Sequence, residues 1–422
     1  MSMEETLKEQ DKVIIAGVHT GALDGLSDTT EESMRELSEL VETAGGIVVG
    51  EMVQNRQVIE TGTYFGEGKL EELKNAADTL DADMIVVDDE LTGSQIRNIA
   101  DATGVSVIDR NTLILDIFAQ RAKSAEGKIQ VALAQLKYML PRLSGMGKAL
   151  SRQGGGIGTR GPGETKLESD RRHIMRRVSA LSEELAEIEK RRDFSRQRRK
   201  KDGVKTAAIV GYTNAGKSTL LNIMTGAEVT ARNRLFETLD LTGRALELSD
   251  SRSVRLIDTV GFIRRLPHQF IEAFKSTLEE ASSADIIIHV IDSSSSEMEN
   301  HIKVVRKLLS ELGCDEKPVI GVFNKIDVRE EEFLGDYGFT YQVEISAKKG
   351  ENLDKLIEAI EEALPGKKKK AVLLIPYTDG AVVSELHENE LIINTEYTEE
   401  GTLIEAMLDA VTKERYKKYE RV

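Results

Sequence analysis

Residues 205–224 read KTAAIVGYTNAGKSTLLNIM. An apolar run stops at a glycine, a short polar turn follows, and a second apolar pattern begins at once. Within the turn Gly211, Gly216, Lys217 and Ser218 fit G-x-x-x-x-G-K-[ST]. This order dictates a strand, a tight loop and a helix opening on the loop, so backbone N–H groups and the helix N-terminus converge on one point. A chance glycine turn would lack both flanks. Gly211, Tyr212, Thr213, Asn214, Ala215, Gly216, Lys217, Ser218 and Thr219 are therefore the expected phosphate contacts. Lys217 would neutralise the terminal phosphates and Ser218 would ligate magnesium.

Three further motifs follow in a fixed order. LIDTVGF places Asp258 at the end of an apolar run, where a carboxylate reaches magnesium, and Gly261 where a backbone N–H can approach a terminal phosphate. VFNKIDV supplies Asn324, Lys325 and Asp327, and ISAKKG supplies Ser346, Ala347 and Lys348. A carboxylate at the first of these accepts the paired donors of guanine, which adenine lacks, so GTP and GDP are the expected ligands. Another glycine stretch, GGGIGTRGPGETK at 154–166, contains G-x-G-x-x-G at Gly156, Gly158 and Gly161. A dinucleotide cradle needs a strand before that spacing. Here Ile129, Leu133, Leu136 and Leu140 recur at helical steps instead, so the stretch joins helix to helix.

The fold class expected is α/β. Residues 1–122 alternate buried-strand runs (KVIIAGV, GGIVVGEM, ADMIVVDD, GVSVIDR) with helical patterns, the rhythm of a parallel sheet covered by helices. Residues 123–201 read as an antiparallel helical hairpin whose second arm carries Ile174, Val178, Leu181, Leu185 and Ile188, with the glycine-rich stretch as its tip. Residues 202–364 form a P-loop domain with a mostly parallel sheet. PGKKKK at 365–370 is a linker, and 371–422 is a small α+β module.

Charge is unevenly placed. Net charge is −16, yet Arg142 to Lys201 holds 17 Lys plus Arg against 8 Asp plus Glu, a local +9. A cationic segment on an anionic chain suits one local polyanion contact; a solvated, internally paired helix face is the alternative reading. At the tip, Arg152, Gly156, Gly158, Arg160, Gly161 and Lys166 are candidate RNA contacts. The lone Cys314 excludes internal disulfides, and the acidic first residues lack a signal-peptide pattern, so a cytoplasmic location is expected. No transmembrane run is present, peripheral membrane association stays open, and a monomer is expected. His268, His289 and His387 lack partners at ligand spacing and read as structural.

These motifs, together with LFETLDLTGR at 235–244, Phe262 after DTVG, GGGIGTRGPGETKLE and DRNTLILDIFAQRA at 109–122, resemble the HflX family of ribosome-associated, translation-factor-like GTPases. The resemblance implies a magnesium-dependent GTPase whose N-terminal domain and hairpin engage large-subunit ribosomal RNA, and which couples GTP state to ribosome splitting or rescue under stress. A GTP-switched RNA-binding chaperone of large-subunit assembly is the alternative. Thr238 matches the threonine that closes onto magnesium and the γ-phosphate, so Lys217, Thr238 and Gly261 are the expected catalytic residues, Ser218, Thr238 and Asp258 the magnesium ligands, and Phe236 an added nucleotide contact. Leu241 stands where the family often has proline, and Gly243 where threonine is frequent.

Many GTPases orient the attacking water with a glutamine after the D-x-x-G glycine; Phe262 can neither donate nor accept there. Slow intrinsic turnover is expected, with the ribosome completing the site, an effect worth about 10³ to 10⁵ in rate where such groups are supplied in trans. Asn214 resembles the asparagine of potassium-assisted GTPases, which makes K⁺ a candidate second cofactor; a loop asparagine capping its own turn explains it equally well. Arg264 and Arg265 read as switch-adjacent surface residues able to approach phosphate or RNA.

Overall fold

The computed structural model describes residues 10–21, 30–145, 166–201, 204–226, 235–236, 242–248, 252–264, 280–329, 335–364, 369–408 and 410–420. The molecule is α/β throughout its first two sheets, as the alternating patterns require.

The N-terminal region runs β1 (Lys12–His19), α1 (Glu31–Ala44), β2 (Ile47–Asn55), α2 (Glu67–Leu80), β3 (Met84–Val87), α3 (Gly93–Thr103), β4 (Ser106–Asp109) and α4 (Arg110–Arg121). Its strands are all parallel in the order β2-β1-β3-β4. The continuous apolar runs are what a strand buried on both faces needs. Helices start where a hydroxyl can satisfy orphan amides: Thr30 and Thr92 each form a reciprocal capping box, and Gly45 and Gly104 end α1 and α3 in left-handed geometry.

Helix α5 (Ala125–Met139) then packs along the 36-residue α6 (Lys166–Lys201). Ile129 and Leu133 meet Leu185, flanked by Val178, Leu181 and Ile188, so the helical periodicity read from the sequence is the contact seam. The glycine-rich tip between these helices, with Arg152, Gly156, Gly158, Arg160 and Gly161, lies outside the described residues, as does the side chain of Lys166.

The second sheet is built from β5 (Lys205–Gly211), β6 (Thr242–Glu247), β7 (Ser253–Asp258), β8 (Ile286–Asp292), β9 (Val319–Asn324) and β10 (Tyr341–Glu344) in the order β10-β9-β8-β5-β7-β6. Only β6 runs antiparallel. Helices α7 (Lys217–Met224), α8 (Met298–Glu311) and α9 (Leu353–Ala363) cover it. A three-stranded antiparallel sheet follows, β11 (Lys369–Ile375), β12 (Leu391–Thr398) and β13 (Gly401–Leu408), with α10 (Gly380–Asn389) packed on one face. Lys369 and Lys370, expected in the linker, pair with Leu408 and Met407 as the first residues of β11.

The first two sheets share a core. One apolar cluster joins Leu113, Ile114, Ile117 and Phe118 of α4 with Tyr212, Leu235, Phe236, Val260 and Ile263 from the loops around the second sheet's carboxyl edge. Among the described residues, no helix is long and apolar enough to cross a membrane.

Candidate guanine-nucleotide site

The loop after β5 is shaped by two glycines with no room for a side chain. A Cβ on Gly211 would lie 2.2 Å from the Val290 carbonyl oxygen, and one on Gly216, at φ 95°, would lie 2.3 Å from Asn324 Nδ2. Asn214 takes φ 61°, a left-handed conformation that asparagine tolerates. Helix α7 begins immediately at Lys217, so its free N–H groups face the loop's concavity, as anion binding requires. Thr219 sits in that first turn. The Thr213 hydroxyl is buried with no hydrogen-bond partner among the described residues.

Lys217 is 7% exposed and donates from Nζ to the Tyr212 carbonyl at 2.7 Å. Burial lowers its pKa to about 8, opposed by the Asp258 carboxylate. A phosphate would restore the lost solvation and displace the carbonyl. Ser218 Oγ donates to Asp258 Oδ2 at 2.8 Å. Two hard oxygen ligands thus converge from a helix start and a strand end, a donor set that fits magnesium with water and phosphate completing the shell. Thr238, the third expected ligand, lies outside the described residues.

The base motifs sit at the ends of β9 and β10. Asn324, expected as a nucleotide contact, is placed as a strut: Nδ2 donates to the Ala215 carbonyl at 2.8 Å, and Oδ1 accepts the Ala347 N–H at 2.9 Å. Lys325, at φ 67°, pairs with Asp292 at 2.6 Å. Asp327 accepts the Ser346 hydroxyl on Oδ1 at 2.8 Å. That bond, ahead of the Lys349 and Lys348 charges, holds its carboxyl below the usual range, so it stays an ionised acceptor. Lys348 is exposed beside it.

Three aromatic or cationic side chains near the loop are taken up by other elements. The Tyr212 side chain leaves the phosphate loop, is 6% exposed, and meets the N-terminal region: its hydroxyl donates to Glu36 at 2.8 Å. Phe236, expected among the nucleotide contacts, packs edge-on against Phe118 of α4 with centroids 4.6 Å apart. Arg264, read as a surface residue, is 3% exposed and ion-paired with Glu297; Arg265 lies outside the described residues. In each case the apolar or charged surface of another element claims the side chain, which a local motif cannot encode.

Sequence spacing also gave no sign of the buried charges facing this site. Arg110 is 1% exposed, donates to Asp88 at 2.8 Å and pairs with Glu36 at 3.0 Å. Burial opposes its charge, but Glu36 and Asp88 push its pKa upward, so it stays a cation. Burial, then the Glu36 carboxylate, raises the Tyr212 phenol well above its usual value and keeps it a donor. The only sequence signal for this network was the resemblance carried by 109–122.

Comparison with known proteins agrees with this geometry. Family models match in succession: a GTP-binding GTPase N-terminal region at residues 31–119, a GTP-binding GTPase middle region at 121–199, and a 50S ribosome-binding GTPase at 206–325. The GTPase HflX of Caldanaerobacter subterraneus subsp. tengcongensis is 50% identical over 417 residues, covering 99% of this chain and 95% of its own. The GTPase HflX of Escherichia coli is 39% identical over 385 residues, covering 89% of each. A GTP-binding protein of Sulfolobus solfataricus solved with GDP is 27% identical, covering 83% of this chain and 98% of its own, at a TM-score of 0.44. Matched along nearly its whole length at such identities, and carrying the phosphate-loop and base motifs in one cradle, the chain belongs to the HflX family of GTPases and hydrolyses GTP.

Proposed function

We infer that GTP bound in this cradle switches the affinity of the protein for the large ribosomal subunit, and that the GTP-bound form separates ribosomal subunits in the cytosol. Backbone amides of Gly211 to Thr219 take the phosphates, with Lys217 and Gly261 at the terminal one and Thr238 the residue that would join them there. Ser218, Asp258 and Thr238 would hold magnesium, which would supply charge neutralisation on the phosphates. Asp327 reads the guanine edge while the 346–348 loop backs it. Asn214 is the proposed potassium contact, a part overturned by identical turnover in potassium and sodium buffers.

The observation that carries the ribosome reading is the surface of α6. Arg171, Arg172, Arg176 and Arg177 are all exposed along the first turns after the glycine-rich tip. A row of guanidinium groups suits phosphate geometry and a polyanion partner. The match of 206–325 to a model described as a 50S ribosome-binding GTPase supports RNA of the large subunit as that polyanion.

Intact ribosomes mixed with the protein and GTP, or a non-hydrolysable analogue, and then sedimented give the test. Release of separated subunits is the expected outcome. Co-migration only with immature large subunits would favour the assembly chaperone, and no association would overturn both. Turnover should also rise when purified large subunits are added, because Phe262 supplies no group to orient water.

A further inference from the structure

Tyr212 is the second residue of the phosphate loop, yet its hydroxyl bonds to two other parts of the molecule. It donates to Glu36 Oε1 at 2.8 Å and accepts the backbone N–H of Arg264 at 2.8 Å. Its ring stacks on His301, centroids 3.8 Å apart. Glu36 is in turn held 3.0 Å from Arg110, which is anchored on Asp88. One oxygen therefore joins the phosphate loop, the segment after Gly261 and helix α1.

The main chain is closed at the same place. Phe262 N–H donates to the Gly211 carbonyl at 3.1 Å, and Thr213 N–H donates to the Phe262 carbonyl at 2.7 Å. Gly261 is pressed on the loop so closely that a Cβ there would lie 3.0 Å from both Lys217 Nζ and Thr213 Cγ2. A γ-phosphate has to sit where Lys217 and the Gly261 amide can both reach it. The Lys217 tip lies close over Gly261, so a γ-phosphate entering between them presses on the 261–264 segment that the loop holds. GDP, which ends at the β-phosphate, makes no such demand.

We propose that Tyr212 is a positioning residue whose hydroxyl latches the 262–264 segment against the phosphate loop while Glu36 docks it to the N-terminal domain, so that loading of GTP, but not GDP, has to break this latch. The coupling follows from linkage: a ligand shifts an equilibrium only by its differential affinity for the two states, and the γ-phosphate is the group that discriminates them. It rests on guanine-nucleotide binding alone and is independent of the ribosome reading.

The test uses the full chain without ribosomes and measures affinities for GDP and for a non-hydrolysable GTP analogue. Tyr212→Phe deletes both hydrogen bonds and keeps the ring on His301. It should tighten the analogue about tenfold, the order expected for loss of a hydrogen bond to a charged partner, and leave GDP within about twofold. Glu36→Gln retains a neutral acceptor and should shift the ratio in the same direction by less. The double variant should add nothing to Tyr212→Phe, because both changes cut one link. His301→Ala, which removes the stacking partner but neither hydrogen bond, should leave the ratio unchanged. An unchanged analogue-to-GDP ratio in Tyr212→Phe and Glu36→Gln, equal weakening of both nucleotides, or additive effects would overturn the latch. If Tyr212→Phe fails to fold, Glu36→Gln decides alone.

Discussion

The two helix-covered sheets end in similar crevices and fill them differently. In the N-terminal sheet the strand ends at β3 and β4 lead into Asp88 and Asp109, and the next residue, Arg110, folds its guanidinium into the crevice between Asp88 and Glu36. In the second sheet β5 runs into a loop of two glycines and an asparagine with positive φ, and helix α7 opens directly onto its crevice. Open α/β sheets bind ligands outside the carboxyl ends of their strands. The comparison shows that the topology only offers the place: a loop that withholds side chains makes it a receptor, whereas a long cation closes it and turns it into a seat for a neighbouring domain.

The largest expected effect comes from breaking the closed crevice. Arg110→Met strips Asp88 and Glu36 of their buried counter-charge, and should cost about 4 kcal/mol of stability in urea denaturation. A loss below about 1 kcal/mol would mean that water or rearrangement compensates, and that the crevice is less dry than its burial suggests.

Changing the open crevice should act on the ligand instead. Asp327→Asn replaces an acceptor for the guanine donors by an amide, so GTP affinity should fall by about a hundredfold while the urea midpoint holds. Xanthine nucleotides, which present a carbonyl oxygen where guanine has its amine, should gain. Equal affinities for the two bases before and after the change would remove Asp327 as the reader.

Acid should separate the sheets more gently. Burial lowers the pKa of His289, on β8, to about 3. The unfolded chain protonates it near 6.5, so the unfolded state binds more protons between these values. Its contribution is complete above pH 6.5 and is lost as pH falls from there toward 3, about 2 kcal/mol by pH 5. Replacing His289 by Gln should flatten the difference in urea midpoint between pH 7 and pH 5; the same slope in both proteins would assign the acid sensitivity elsewhere.

What was legible in the chain follows the same division. The strands, the phosphate loop and the base motifs depend on contacts a few residues apart or on backbone geometry, which glycine spacing and apolar periodicity encode. The seam between α5 and α6 was equally readable because it repeats. Arg264 was read as a surface residue, whereas it is buried on Glu297, and the side chains of Tyr212 and Phe236 likewise find their partners, Glu36 and Phe118, in other elements, which nothing at their own positions announces. Asn324 was read by motif as a ligand contact; the motif gave no sign that its amide also braces the Ala215 and Ala347 backbone.

That amide has a consequence for fidelity. Asn324 ties the loop that cradles the phosphates to the loop that backs the base, so the two ends of a nucleotide are sensed by one rigid lever. With Asp327 as the proposed reader of the base, a purine that seats badly there would strain the 346–347 backbone and, through Asn324, the Ala215 carbonyl. A wrong base would then be penalised twice, in how tightly it is held and in how well its phosphates are aligned for cleavage.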